Sequence, residues 1–284
     1  MNVIDVHTHI FPREMATNRA SLAERDGWFA ALYGDPRAAM ASAEDLLAEM
    51  DHSGVQVSAV CAFGWADQGL CVEHNAYLLE MGRRYPGRLL PFVAVQPRAG
   101  RGAVAEVERC AALGAAGIGE LMPDGQGFSL DAEEAMAPVV EAALAHGLPI
   151  MSHASEPVGH MYPGKGTVCP DVLYRFAIRF PRSTLIAAHW GGGLPFYEHM
   201  PEVAHALANV YYDTAASPFL YRAGIFTSAV AAAGAKKILF GSDFALIGQR
   251  RFLDHVHKKG GLDAATLAQV LGGNAARLLH LKER

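Results

Sequence analysis

Two histidines stand two residues apart in NVIDVHTHIF, residues 2–11, inside a run that otherwise reads as buried strand. Side chains two apart on a strand share a face, so Asp5, His7 and His9 are expected in one row. Neutral imidazole is the commonest ligand of transition metals, and two on one rigid strand hold two corners of a coordination sphere with little reorganisation. A pair of core histidines bonded to neighbours fits the same spacing. The pair does not stand alone, however. His153, His189 and Asp243 each follow an apolar run, in LPIMSHA (148–154), TLIAAHW (184–190) and ILFGSDF (238–244). Leaving one buried polar group unpaired costs ~1–3 kcal/mol, and several ionisable groups converging would need a counter-charge. A divalent cation supplies it, binding neutral imidazole and ionised carboxylate together. AGIGELM (116–122) adds Glu120, which is expensive to bury unless it is metal-bound or paired with a loop arginine or lysine.

The elements that must position these residues alternate along the whole chain. Strand-like runs occupy 3–10, 57–63, 89–95, 116–122, 148–154, 184–190, 210–215 and 238–244. They are near-continuously apolar, as parallel strands buried on both faces should be. Amphipathic helical patterns lie between them. SAEDLLAEMDHSG, for example, begins at Ser42 with acids in its first turn and stops at Gly54. Pro138 and Pro201 interrupt two of the patterns and predict kinks or late starts. Eight strand–helix pairs predict an α/β fold that closes as a (β/α)₈ TIM barrel. The competing open doubly wound sheet lacks a GxGxxG after its first strand. One domain is expected over 1–284, with long loop insertions at 11–41 and 155–170. Both leave C-terminal strand ends, the barrel face that carries active sites.

Composition narrows the function classes. The net charge of −5 over 284 residues offers no polyanion-binding surface, so no nucleic-acid partner is expected. No apolar run reaches the roughly 20 residues of a membrane span. Four cysteines without CxxC or disulfide-like spacing fit a reducing, cytoplasmic setting. A homo-oligomer is left open.

With DVHTHIF, MSHAS, AAHWGGGLPF, FGSDFAL and the closing GGNAARLLHL in view, the chain resembles the amidohydrolase superfamily. The likeness is greatest to the amidohydrolase-related branch that includes aminocarboxymuconate-semialdehyde decarboxylase. The resemblance implies that His7, His9, His153 and Asp243 are metal ligands. His189 matches a histidine that binds a second metal in binuclear members and polarises substrate or moves protons in mononuclear ones. Asp243 and His189 are therefore the expected catalytic pair. Many binuclear relatives bridge their metals with a carbamylated lysine. Glu120 stands here instead, an arrangement similar to that of TatD-like deoxyribonucleases, so one or two ions are expected. Zinc is the first expectation and manganese the second. The implied activity is hydrolysis of a small-molecule lactone, amide or ester. The alternative is non-oxidative decarboxylation of an aromatic or unsaturated carboxylic acid, because ligand identity does not separate the two. A nuclease is disfavoured by the absence of basic runs. A metal-binding scaffold is disfavoured by the two long insertions at the site. Trp65, His160, Tyr162, Lys165 and Trp190 are expected to contact substrate, each with loop or core packing as its plainer role.

Overall fold

Burial of both faces explains why the apolar runs become strands. In a computed structural model describing residues 2–281, they form β1 (Ile4–Thr8), β2 (Val57–Cys61), β3 (Leu89–Val93), β4 (Gly117–Leu121), β5 (Ile150–Ser152), β6 (Leu185–Ala187), β7 (Val210–Asp213) and β8 (Ile238–Leu239). Residue 1 and residues 282–284 of the expected domain lie outside the described residues. The strands follow chain order, and each pairs in parallel with the next. The sheet closes where Val6 N–H donates to the Phe240 carbonyl at 2.9 Å and Asp243 N–H to the His7 carbonyl at 2.9 Å. A (β/α)₈ barrel results, as the alternation predicts.

Inside it, Val6, Cys61, Phe92, Met151, Ile186 and Leu239 form one fully buried cluster. A larger apolar layer packs the outer faces of the strands against the helices. Local signals set the helix ends. Ser42 caps the helix Ala43–Ser53 in a reciprocal box with Asp45, and Gly54 ends it at φ 81°. Pro201 opens the helix Pro201–Ala206 rather than bending one, whereas Pro138 lies within Glu133–Ala145. Among the described residues, no helix is long and apolar enough to cross a membrane.

Three expectations change. The insertion at 11–41 is largely helical, with short helices at Arg13–Thr17, Arg19–Arg25 and Gly27–Tyr33. The later strands end sooner than their apolar runs, β6 at Ala187 and β8 at Leu239, and beyond them His189 and Asp243 leave extended geometry at φ 54° and 64°. Asp5 does not share a row with His7. Pairing with β2 advances from Asp5↔Ser58 to Thr8↔Val60, three residues against two, which is a bulge. That extra residue turns Asp5 aside, where it accepts hydrogen bonds from Ser242 Oγ at 2.6 Å and Gln249 Nε2 at 2.8 Å. Burial pushes its carboxyl up to about 6, against the pull of those donors.

Candidate active site

The C-terminal strand ends bring together the six residues expected around a cation. β1 supplies His7 and His9, whose Nε2 atoms lie 3.1 Å apart. β4 supplies Glu120, and its pairing with β5 also carries an extra residue, from Ile118↔Ile150 to Leu121↔Ser152. Gly119 makes this approach feasible. It adopts φ 144°, and a Cβ there would lie 2.7 Å from Met151 Cβ. Glu120 Oε2 sits 3.5 Å from His7 Nε2 and 3.4 Å from His9 Nε2. Its Oε1 sits 3.0 Å from His153 Nδ1 and 3.6 Å from His189 Nε2. Asp243 Oδ1 stands 3.7 Å from Nε2 of both His7 and His9. His189 heads a left-handed stretch through Trp190, Gly191 and Gly192. A Cβ on Gly192 would fall 2.1 Å from the Ser155 carbonyl, so HWGGG turns tightly where only glycine fits.

The protons on these rings are constrained by what each ring meets. His9 Nδ1 faces the Cys61 carbonyl at 3.1 Å, and His7 Nδ1 faces Asp213 Oδ2 at 2.8 Å. Both partners only accept, so each Nδ1 carries a proton, and each Nε2 presents a bare lone pair when its ring holds no second proton. Two lone pairs 3.1 Å apart, beside Glu120 and Asp243, are repulsive unless a cation lies among them. The same demand shows in the titration behaviour. Burial alone would depress His7, yet Asp213 and Glu120 raise it well above its usual value. Burial would raise Glu120, yet His7, His153 and His189 hold it well below the usual carboxylate range. His189 is lifted to about 9 by Glu120 and Asp243, again against burial.

The donor set therefore suits a divalent metal. Atoms of His7, Glu120 and His189, and of His7, His9 and Asp243, form two overlapping groups with all members within 4.8 Å of one another. Imidazole nitrogen with carboxylate oxygen fits zinc or manganese. His153 joins through Glu120, with its Nε2 donating to the Gly164 carbonyl at 2.9 Å.

Above the cluster opens a cavity of about 430 Å³. His9, Glu120, His153, His189 and Asp243 line one end, and Leu32, Tyr33, Phe219, Leu220 and Leu246 form apolar walls. Among the described residues, no lysine or arginine lines it. His160 and Tyr162 line the cavity, with Tyr162 Oη donating to Glu156 Oε2 at 2.7 Å. Three expected contacts do not. Trp65 is fully buried behind the site, stacked on Phe29 at 4.9 Å, with its Nε1 donating to His74 Nδ1 at 3.3 Å. Trp190 is also fully buried, donating to Ser217 Oγ at 2.7 Å. Lys165 spends its ammonium on the carbonyls of Val158 and His160, at 2.7 and 3.0 Å, and does not line the cavity.

The sequence reading missed two residues here. Asp213 ends β7, fully buried, behind His7, and VYYDTA placed it at the same rim as the other strand-end residues. Tyr33 lines the cavity from the helical insertion, and burial, with Asp243 and Glu120 nearby, pushes its phenol up.

A family model described as amidohydrolase matches residues 4–281. No curated protein matches the chain. Solved structures do. The 5-carboxyvanillate decarboxylase of Sphingomonas paucimobilis is 17% identical, covers 99% of both chains and gives a TM-score of 0.80. The 2,6-dihydroxybenzoate decarboxylase of Rhizobium is 19% identical over 99% of both, with a TM-score of 0.75. A dihydroxybenzoic acid decarboxylase of Polaromonas sp. JS666, with bound manganese and 2-nitroresorcinol, is 19% identical. It covers 100% of this chain and 98% of its own, with a TM-score of 0.75.

Proposed function

Since the chain belongs to the amidohydrolase family, we propose that it is a metal-dependent, non-oxidative decarboxylase of an aromatic or unsaturated carboxylic acid. The whole of 1–284 acts as one catalytic domain in this reading. The observation that carries it is that the solved structures compared above are decarboxylases of hydroxylated benzoic acids over nearly the full chain. Hydrolysis, the first expectation from the motifs, has no comparable support among them.

The cavity suits such a substrate. An aromatic ring fits between apolar walls while a carboxylate reaches the polar end. With no lysine or arginine among the described residues that line the cavity, the cluster itself is the group that meets the anion. The proposed ligands are His7, His9, His153 and Asp243, with Glu120 and His189 completing the surround. A divalent cation held there, manganese or zinc, supplies Lewis-acid polarisation and a counter-charge for the carboxylate.

The remaining work falls to the side chains. The bond between the carbon and its carboxylate breaks, carbon dioxide leaves, and the electron pair left on carbon takes a proton. His189 keeps Nδ1–H on the Ala215 carbonyl at 3.3 Å and turns Nε2 toward the cluster, where it can hold and release that proton. Asp243, on the same cavity wall, is the second group able to carry it. Apolar walls lower the polarity around a bound ring, which favours a step that disperses charge. His160 and Tyr162 face the substrate from the 155–170 insertion.

The test is a panel of aromatic and unsaturated carboxylic acids with manganese- and zinc-loaded protein, reading carbon dioxide release. A parallel panel of lactones, esters and amides reads hydrolysis. Carbon dioxide release, lost in His189→Ala, is expected. Turnover confined to the second panel would replace this reading with hydrolysis.

A further inference from the structure

Each imidazole in the cluster can bind a cation only through a nitrogen free of its proton, and the partner of the other nitrogen decides which one that is. For three rings that partner is a main-chain carbonyl: Cys61 for His9 at 3.1 Å, Gly164 for His153 at 2.9 Å and Ala215 for His189 at 3.3 Å. His7 differs. Among the described residues it is the one ring of the four whose nitrogen turned away from the cluster meets a side chain, with Nδ1 2.8 Å from Asp213 Oδ2. The second oxygen of Asp213 is also committed. Oδ1 accepts from the backbone N–H of His189 at 2.9 Å and of Ala215 at 3.0 Å. His189 adopts φ 54°, so this bond also braces a left-handed residue.

We propose that Asp213 is a positioning residue that sets the tautomer of His7, keeping the proton on Nδ1 and Nε2 open toward the cation. The proposal rests on the metal reading of the site, and its test does not depend on which reaction the site performs. Every donor that Asp213 meets is an N–H, so a carboxylate satisfies all three at once. Asparagine does not. Its carbonyl oxygen must stay with the two backbone N–H groups, because turning the amide would oppose two donors with two donors. The NH₂ group then takes the place of Oδ2 and donates to His7 Nδ1. That nitrogen must give up its proton, which moves to Nε2 and occupies the position a metal requires. Alanine is different. It removes the acceptor and leaves His7 free to choose either tautomer.

The two substitutions therefore rank in opposite orders for the two roles Asp213 could play. If Asp213 only fills space and bonds the backbone, near-isosteric asparagine is the milder change. If it sets the tautomer, asparagine harms metal binding more than alanine does, even where alanine lowers stability more.

The experiment compares wild type, Asp213→Asn and Asp213→Ala as full chains stripped of metal. Each is titrated with zinc against a chromophoric chelator, and circular dichroism reports fold and Tm. Asp213→Asn is expected to lose roughly 10–100-fold in zinc affinity, the scale of lost partners behind metal-bound histidines. Asp213→Ala should lose less. Asparagine binding zinc as wild type does, or better than alanine, overturns the proposal. Should either variant fail to fold, nitrogen-15 spectra of the zinc-loaded wild type decide. A proton on His7 Nδ1 supports the role, and a proton on Nε2 overturns it. A wild type that takes up neither zinc nor manganese overturns the metal reading itself and the tautomer role with it, an outcome distinct from equal binding by all three proteins.

Discussion

Acid should loosen the upper rim of the barrel through His74, which ligates nothing. His74 is fully buried, stacked on Phe11 at 5.0 Å, with Nε2 donating to the Ile10 carbonyl at 2.8 Å. Its Nδ1 accepts from Phe63 N–H and Trp65 Nε1, both at 3.3 Å. The ring therefore ties the residue after His9 to the end of β2, but only while neutral. A second proton would turn Nδ1 into a donor facing two donors. Burial, with His9 nearby, lowers the pKa of His74 from 6.5 to about 4, although the bond to Ile10 opposes this. Below 6.5 the unfolded chain takes up the proton and the folded chain does not. Stability is thus fully present above that value and lost as pH falls toward about 4. Between about pH 7.5 and about pH 5 the loss attributable to this group is ~2 kcal/mol. The check is urea unfolding of wild type and His74→Phe across that range. Phenylalanine keeps the stacking and removes the titration, so its stability at neutral pH drops while its pH slope flattens by that amount. Equal slopes in the two proteins would refute the reasoning.

Other perturbations separate chemistry from scaffold. Asp243→Asn should retain metal through the histidines but lose carbon dioxide release by roughly 100-fold or more, the usual scale for a proton-transfer group. Unchanged turnover, measured at saturating substrate, would remove Asp243 from that role. Leu220→Arg, which places a charge in the apolar cavity wall, should raise KM for an aromatic acid while leaving Tm close to wild type. An unaltered KM would mean the ring binds elsewhere. Ser42→Ala removes the cap bonded to the Asp45 N–H and should cost ~1 kcal/mol in unfolding free energy without altering turnover. A loss of activity at full stability would contradict that assignment.

The barrel was legible because buried parallel strands must be continuously apolar, which makes an interrupting histidine or carboxylate conspicuous. His7, His9, His153, His189 and Asp243 stood out for that reason, and the structure brings them together with Glu120. Position on a strand is less legible than identity. The bulge that turns Asp5 out of the row depends on pairing with β2, which the β1 residues alone do not encode. Trp65 and Trp190 border strand ends in sequence, but each indole N–H is satisfied in the core, by His74 and Ser217. Asp213 was readable by the same strand-end logic, had it been applied to VYYDTA. Tyr33 was not, because an insertion of short helices has no period that shows which side meets the cavity.

Metal content is the most direct measurement of the central claim that these side chains surround a divalent cation. Protein purified without chelators and dialysed against metal-free buffer should carry manganese or zinc in stoichiometric amount, and the paired substitution of His7 and His9 by alanine should abolish it. Wild-type protein that carries only trace metal, and takes up none when manganese or zinc is restored, would contradict the account.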